Sequence, residues 1–140
     1  MKKEIITDIK YLKQRSEEIT ISEVDSILND LKESLDLKKG VGLSAIQIGI
    51  PKQVGFIKIK DKEIVLINPN ILEKENRFRM QQEGCLSLPG LYIDTIRYEQ
   101  IILENNGRRY IAYGLEAVAI QHEIDHMNGI LILDRKWRKR

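Results

Sequence analysis

Residues 121–126, with the sequence Q-H-E-I-D-H, constrain the fold of this chain more than any other stretch. They contain both of its histidines, four positions apart. On a helix, side chains at this spacing lie one turn above each other on the same face. Two such imidazoles can bind one metal ion, and Glu123 beside them can accept a proton from water. The stretch therefore predicts a helix that carries a metal site.

An H-E-x-x-H pattern is short enough to occur by chance, and two solvated histidines on a helix surface are the alternative interpretation. The residues around the histidines favour the metal site. One predicted helix face carries Leu115, Val118, Ala119, His122 and His126. The histidines thus continue an apolar stripe and are expected to point inward, where imidazoles need polar partners. Gly129 follows where this helix, over about 115–127, would end.

The composition is that of a globular protein. The chain has 140 residues, of which 42% are apolar and 31% charged, enough for one domain with a core. Its net charge of +2 is too small to indicate a nucleic-acid-binding protein, and we expect no sequence-specific nucleic-acid partner. Residues 1–15 lack the apolar segment of a signal peptide, and no apolar run approaches the length of a membrane span. We therefore expect a cytoplasmic protein without a membrane partner.

Hydrophobic periodicity and turn signals predict the order of helices and strands. The predicted elements are a helix over about 22–38, a hairpin over 53–68, a strand-like segment over 71–80, strands over 93–103 and 109–113, the histidine helix, and a short strand over 130–133. Ser22 is the predicted N-cap of the first helix. The hairpin is expected to turn at Asp61-Lys62, and the Asn106-Gly107 step marks a second turn. The predicted fold class is α+β, with antiparallel β-sheets packed around a central metal-binding helix.

No repeat or linker divides the chain, so we expect a single catalytic domain over 1–140 that acts as a monomer. Residues 1–20 are weakly patterned and are interpreted as an N-terminal arm or short helix laid on the domain. Residues 135–140 form a basic tail. We favour the interpretation that this tail is solvated.

A glycine-rich segment over 40–51 is the second unusual stretch. Its three glycines indicate backbone that bends or approaches another group closely. It lacks the Lys-Ser/Thr ending of a phosphate-binding loop, and it does not match a dinucleotide-binding pattern. Gln47 is its one multifunctional polar side chain. The stretch alone leaves two interpretations open, an amide that orients a substrate carbonyl and a buried amide that caps the loop.

A catalytic zinc-type site takes three protein ligands and leaves one position for water. The fourteen residues after His126 contain no Glu, and their only Asp is Asp134. Ile132 occupies the position where some metalloproteases carry a third histidine. The third ligand is therefore expected upstream, and Cys85 is the best candidate because a thiolate binds soft or borderline divalent metals. Since Cys85 is the only cysteine, no internal disulfide is possible.

Three segments together resemble the peptide deformylase family, which carries G-hydrophobic-G-L-A-A-x-Q, E-G-C-L-S and Q-H-E-x-D-H in this order. In this chain residues 40–47 are G-V-G-L-S-A-I-Q, residues 83–87 are E-G-C-L-S, and residues 121–126 complete the set. The resemblance covers about residues 8–133. It implies a metal-dependent hydrolase that removes the N-formyl group from the N-terminal formyl-methionine of nascent polypeptides and releases formate.

The resemblance also implies a role for each matched residue. The implied metal ligands are Cys85, His122 and His126. Glu123 would act as general base toward water and later protonate the leaving amine. The Gln47 side-chain amide and the Leu86 backbone N–H would stabilise the oxyanion, each by roughly 2.7–4 kcal/mol in the transition state. The implied metal is Fe²⁺ in the cell, with Zn²⁺ or Ni²⁺ able to substitute.

Further residues follow from the same resemblance. The implied substrate-binding residues are Val41, Gly42, Glu83, Gly84, Leu115, Val118 and Ala119. Asp125 is expected to pair with Arg97 behind the metal ligands and to fix the helix against a strand. The chain departs from the family at Ser44, where alanine is usual, and we expect activity to survive this change. It also ends soon after the histidine helix, where many bacterial members continue into a long helix that helps them dock at the ribosome. The alternative to a solvated tail is a contact of residues 135–140 with ribosomal RNA, since Lys and Arg bind phosphate without sequence preference.

Three other functions are less consistent with the residues. A metal peptidase acting within peptide chains is disfavoured by the missing downstream ligand and by Cys85. A binding module that has kept the fold but not the chemistry would be expected to have lost a ligand or Glu123. A structural metal site usually has four protein ligands and no adjacent general base. The sequence offers no fourth ligand beside the three.

Overall fold

A computed structural model describes residues 1–36 and 40–139 of the chain. The helices are α1 (Ile9–Leu12), α2 (Ile21–Ser34) and α3 (Gly114–Met127), with 3-10 helices at Ala45–Ile48 and Ile132–Arg135. The strands are β1 (Gly42–Ser44), β2 (Val54–Ile59), β3 (Lys62–Ile67), β4 (Asn70–Gly84), β5 (Tyr92–Asn105) and β6 (Arg108–Tyr113). They form two antiparallel three-stranded sheets, ordered β1-β2-β3 and β4-β5-β6. The predicted α+β class is confirmed.

Helix α3 lies between the two sheets and contacts β1 and β2 of the first and β5 and β6 of the second. Gly114 has φ 60°, a backbone conformation that favours glycine and lets β6 turn directly into α3. Ala117, Ile120 and Ile124 are buried with side chains from both sheets. Because the helix is covered on most sides, its polar residues must find partners inside the protein.

Helix α2 covers the outer side of the first sheet. Val24, Ile27 and Leu31 pack in a second core with Leu43 and Phe56 of β1 and β2. This apolar face is the one that the helical spacing in the sequence predicts.

The predicted ends of α2 are wrong at both sides. The N-cap is Thr20 rather than Ser22, and the Glu23 carboxylate accepts a hydrogen bond from the Thr20 backbone N–H at 3.2 Å. A carboxylate three residues after the cap satisfies the first N–H groups of a helix, which fixes the start here. The helix ends at Ser34, and Leu35 is already extended. The predicted residues 37–38 lie outside the described residues.

The hairpins test the turn predictions. Asn106 and Gly107 connect β5 and β6 with φ angles of 53° and 79°, as expected for the Asn-Gly step. The other hairpin is confirmed, but its turn lies one residue earlier than predicted, at Lys60 and Asp61, because Ile59 already pairs with Lys62.

A β-bulge in β4 sets the orientation of the Glu83 side chain. Met80 pairs with Thr95 and Glu83 pairs with Ile93, so β4 has one extra residue between these pairs. Cross-strand partners share a sheet face, and the bulge therefore turns Glu83 to the face that carries Thr95 and Arg97.

The chain after α3 differs from the prediction. Residues 130–133 do not form a strand; the Asp134 carboxylate instead accepts a hydrogen bond from the Leu131 N–H at 2.9 Å and starts the 3-10 helix. The tail then lies along β5, where the Trp137 N–H donates to Asp94. Its cationic side chains at 136, 138 and 139 are exposed. The exposed cationic side chains agree with the expectation of a solvated tail, while the Trp137 backbone is paired with β5.

The N-terminal arm is anchored to the domain. Leu12 of α1 is fully buried, and the Ile6 N–H donates to the Gln47 carbonyl at 2.7 Å. Within residues 1–36 and 40–139, no helix is both long and apolar enough to span a membrane.

Replacing Leu31 by Ala should lower the free energy of unfolding by about 2–5 kcal/mol, because the side chain is fully buried and its removal leaves a cavity. The control is Ile21→Ala in the same helix, where 67% of the residue is exposed. Urea unfolding of both variants measures the difference. Equal losses of stability would contradict the packing of α2 against the first sheet.

Candidate active site

Two elements bring the candidate metal ligands together. Helix α3 carries His122 and His126, and β4 ends immediately before Cys85. The ligand atoms of the three residues all lie within 4.8 Å of one another. Cys85 Sγ and His126 Nε2 are 3.3 Å apart.

This geometry fits a divalent metal ion. Donor atoms at about 2.0–2.3 Å from a tetrahedral ion stand roughly 3.5 Å from each other, close to the Cys85–His126 separation. One thiolate and two imidazoles form a donor set that suits soft or borderline divalent metals. The Nδ1 atom of His126 is buried and has no hydrogen-bond partner among the described residues, so the ring makes its polar interaction through Nε2.

A buried carboxylate orients the other histidine. His122 Nδ1 lies 2.6 Å from Glu83 Oε2, which leaves His122 Nε2 for the metal centre. The same carboxylate accepts hydrogen bonds from Thr95 Oγ1 at 2.6 Å and from Arg97 Nη2 at 2.6 Å. Arg97 Nη1 donates to Asp125 Oδ2 at 2.7 Å, which joins β5 to α3. Asp125 thus pairs with Arg97 as expected.

Glu83 is one of the residues that the resemblance implies to bind substrate. The structure shows its carboxylate buried and bonded to three protein side chains. Glu83 lines the cavity beside the centre, but its polar atoms hold His122 and Arg97. A signal was present in the sequence, since a metal-bound histidine usually donates its second N–H to a carboxylate or carbonyl. The identity of that carboxylate depends on the β4 bulge.

Within this network, each ionised side chain stabilises the charged form of its partner. Burial by itself raises the pKa of Glu83, but hydrogen bonds and charges from His122 and Arg97 outweigh it and hold the pKa well below its ordinary value. Burial opposes the charged form of Arg97, yet the Glu83 and Asp125 carboxylates raise its pKa further. Glu83 and Arg97 are therefore ionised in the folded protein, and each is desolvated with its partners in place.

The pKa values of His122, Glu123 and His126 on α3 are shifted in different directions. Burial raises the pKa of the Glu123 carboxyl above its usual value. Burial lowers the pKa of His126 well below its usual value, which favours the neutral imidazole that a metal requires. Burial also opposes protonation of His122. The negative charge of Glu123 and the hydrogen bonds of His122 with Cys85 and Glu83 outweigh burial and raise the pKa of His122.

Strand β1 contacts the carboxylate of Glu123. The Ser44 Oγ hydroxyl lies 3.0 Å from Glu123 Oε1 and 2.9 Å from the Glu123 backbone oxygen. A Cβ atom at Gly42 would stand 2.7 Å from Glu123 Oε2, so only glycine allows this approach without displacement. The glycine-rich segment therefore does approach another group closely, as its composition predicts.

Gln47 is both a buried amide and part of the site. Its Oε1 accepts a hydrogen bond from the Ser44 N–H at 3.0 Å, which caps the following 3-10 helix. Its Nε2 donates to Ser87 Oγ at 3.0 Å and lies 3.8 Å from Cys85 Sγ. An amide nitrogen carries two N–H bonds, so one can hold Ser87 while the other faces the centre. Leu86 follows Cys85 in the same turn and lines the cavity.

A mostly apolar cavity of about 230 Å³ opens beside the three candidate ligands. The residues predicted to bind substrate all line it: Val41, Gly42, Glu83, Gly84, Leu115, Val118 and Ala119. Gly40, Ile59 and Met80 also line it and were not predicted. Leu115 lies in the first turn of α3 and is 65% exposed, so it lines the cavity from the protein surface.

The arrangement is an α+β domain with a Cys/His/His cluster and an adjacent buried glutamate, which is the chemistry of a metal-dependent hydrolase. The sequence model of the family described as polypeptide deformylase matches residues 2–140. A peptide deformylase of Dictyoglomus turgidum is 39% identical over 132 residues, which cover 91% of this chain and 86% of that relative.

Solved structures that resemble this chain are also peptide deformylases. Peptide deformylase from Thermotoga maritima superposes with a TM-score of 0.88 at 28% identity, and the match covers 99% of both chains. A peptide deformylase from Synechococcus elongatus in complex with actinonin has a TM-score of 0.86 at 35% identity, over 96% of this chain and 78% of that one. The chain belongs to the polypeptide deformylase family, metal-dependent enzymes that remove the N-formyl group from nascent peptides.

Replacing Arg97 by Ala should destabilise the protein by about 3–5 kcal/mol, because the buried Glu83 would lose its guanidinium partner and Asp125 would keep only Arg135. Arg79→Ala is a matched control, since Arg79 pairs with Asp94 at the same 2.6 Å distance but its side chain is 53% exposed. The control should change stability very little. Chemical unfolding of both variants tests this, and similar effects would argue against a buried Arg97 network.

Proposed function

We propose that this chain hydrolyses the formamide bond of N-formyl-methionyl peptides with Cys85, His122 and His126 as metal ligands and Glu123 as general base. The observation that carries the proposal is the clustering of the three ligand atoms within 4.8 Å beside a buried glutamate and an apolar cavity. Membership of the polypeptide deformylase family supplies the reaction class.

A divalent ion held by Cys85, His122 and His126 would polarise the formyl carbonyl and lower the pKa of a water molecule toward about 7. Glu123 accepts a proton as the water oxygen adds to the formyl carbon. It then delivers this proton to the methionine nitrogen while the carbon–nitrogen bond breaks, giving a free amine and formic acid, which ionises to formate. A buried carboxyl with a raised pKa suits both steps, because it holds a proton more readily than a solvated carboxyl does.

Gln47 and Leu86 are proposed to stabilise the negative charge that develops on the formyl oxygen. The second N–H of the Gln47 amide and the Leu86 backbone N–H would donate to this oxygen. Support comes from the bond between Gln47 and Ser87, which fixes the amide before substrate binds. Preorganised donors of this kind are effective because they need no rearrangement during the reaction.

The apolar cavity is proposed to bind the methionine side chain, which is unbranched and adapts to irregular apolar walls. Val118 and Ala119 of α3 and Gly42 of β1 line this cavity. A second cavity of about 800 Å³ shares Gly84, Cys85 and Leu86 with the first and extends to the N-terminal arm. It provides space for the peptide beyond the first residue.

The remaining parts of the proposal concern the cell. We infer one catalytic domain over 1–140 that works as a monomer in the cytoplasm, where nascent chains emerge. Fe²⁺ is the proposed metal, with Zn²⁺ or Ni²⁺ able to replace it at a thiolate and imidazole site. A ribosome contact through the tail is a secondary proposal, supported by the exposed cationic side chains at 136, 138 and 139, which suit phosphate.

The first experiment is formate release from formyl-Met-Ala-Ser by protein purified without oxygen and reloaded with iron or nickel. Metal-dependent release is the expected result. A protein that binds metal stoichiometrically but releases no formate would overturn the proposed reaction.

Glu123→Gln should retain its metal and lose turnover by about 10²–10⁴-fold, because the proton acceptor is gone. Glu99→Gln, at an exposed residue of β5, is the control and should behave as wild type. Formate release and metal content are measured on the same samples. Wild-type turnover in Glu123→Gln would remove Glu123 from the mechanism.

Cys85→Ser should weaken metal binding, because a serine hydroxyl is a poorer ligand than a thiolate for a borderline metal. The dissociation constant is measured by competition with a chromophoric chelator, using Ni²⁺. Ser87→Ala in the same turn is the control and should keep the affinity for Ni²⁺. Unchanged affinity in Cys85→Ser would mean that the third ligand is another residue.

A further inference from the structure

Ser44 carries a buried hydroxyl that the proposed chemistry does not use. The residue is fully buried in β1, and the family that this chain resembles usually has alanine here. Its Oγ lies 3.0 Å from Glu123 Oε1, while the two residues are 79 positions apart in sequence. A hydroxyl at this place needs a partner, and the carboxylate of the general base provides one.

The position of the hydroxyl is set by the strand. Ser44 pairs with Gly55 of β2, and its backbone N–H donates to Gln47 Oε1 at 3.0 Å. The hydroxyl has two acceptors within reach, Glu123 Oε1 and the Glu123 backbone oxygen. It has one proton, and the charged carboxylate is the stronger acceptor.

The two carboxylate oxygens of Glu123 have different surroundings. Oε1 contacts the Ser44 hydroxyl, whereas Oε2 lies against Gly42, where a Cβ atom would stand 2.7 Å away. Across residues 1–36 and 40–139, Oε2 accepts no hydrogen bond. Strand β1 therefore holds one oxygen by a hydrogen bond and leaves the other free to handle a proton.

We propose that Ser44 is a positioning residue that fixes the carboxylate of Glu123 for its role as general base. The inference rests on the proposed function of Glu123. A glutamate side chain has several rotatable bonds, and an unheld carboxylate samples orientations that cannot reach the water. The Ser44 hydrogen bond and the close approach of Gly42 select one orientation before substrate binds, and small misplacements of a reacting group are costly.

The test compares Ser44→Ala with wild type in the nickel-loaded form. We expect kcat for formyl-Met-Ala-Ser to fall about tenfold, as loss of a hydrogen bond to a charged group implies. The KM and the metal content should stay unchanged, because Ser44 contacts neither substrate nor metal in this scheme. A crystal structure of the variant should show the Glu123 carboxylate rotated away from its wild-type orientation.

Ser16→Ala is the matched control. Ser16 is also a buried serine, but its hydroxyl has no hydrogen-bond partner among the described residues, so its removal should leave kcat and Glu123 unchanged. Thermal unfolding of both variants separates a local effect at Ser44 from general destabilisation.

Three results would overturn the role of Ser44: a wild-type kcat in Ser44→Ala, a loss of metal from this variant, or a lower kcat with Glu123 in its original orientation. Absence of formate release from wild type itself would instead refute the proposed function. In that case the role of Ser44 is tested by the crystal structures of wild type and Ser44→Ala. A rotated Glu123 carboxylate in the variant supports this role, and an unmoved carboxylate rejects it.

Discussion

The rest of the site depends on the two ion pairs that the buried guanidinium of Arg97 forms. It bonds Glu83 of β4 and Asp125 of α3, and it is almost completely shielded from water. Each carboxylate would be costly to bury alone; Arg97 compensates Glu83, and together with Arg135 it compensates Asp125. Because Glu83 in turn holds His122, the ion pair that fastens the helix to the second sheet also fixes a candidate metal ligand.

The two sheets serve different parts of the proposed chemistry. The second sheet supplies Cys85 at the end of β4 and orients His122 through Glu83. The first sheet holds the carboxylate of Glu123 through Ser44 of β1 and carries Gln47 in the following 3-10 helix. Helix α3 lies between the two sheets and carries two candidate metal ligands and the proposed general base. The second sheet therefore supports metal binding, and the first sheet supports proton transfer. This division explains why a three-residue strand such as β1 matters for the site.

Local signals in the sequence were reliable where neighbouring residues decide the structure. The spacing of His122 and His126 places both on one face of α3, and the Asn106-Gly107 step makes the predicted turn because both residues adopt positive φ. Errors arose where a side chain competed with the pattern. The apolar residues over 130–133 suggest a strand, but Asp134 bonds the Leu131 N–H and starts a 3-10 helix.

By itself, the sequence determined the α+β class, the histidine helix and the family, since periodicity and three short motifs are local properties of the chain. Tertiary structure alone decided which carboxylate holds His122 and what contacts Glu123. Glu83 reaches His122 only because a bulge in β4 turns its side chain inward, and Ser44 reaches Glu123 only because β1 packs against α3. Such contacts join residues far apart in sequence, and no local pattern encodes the distance between them.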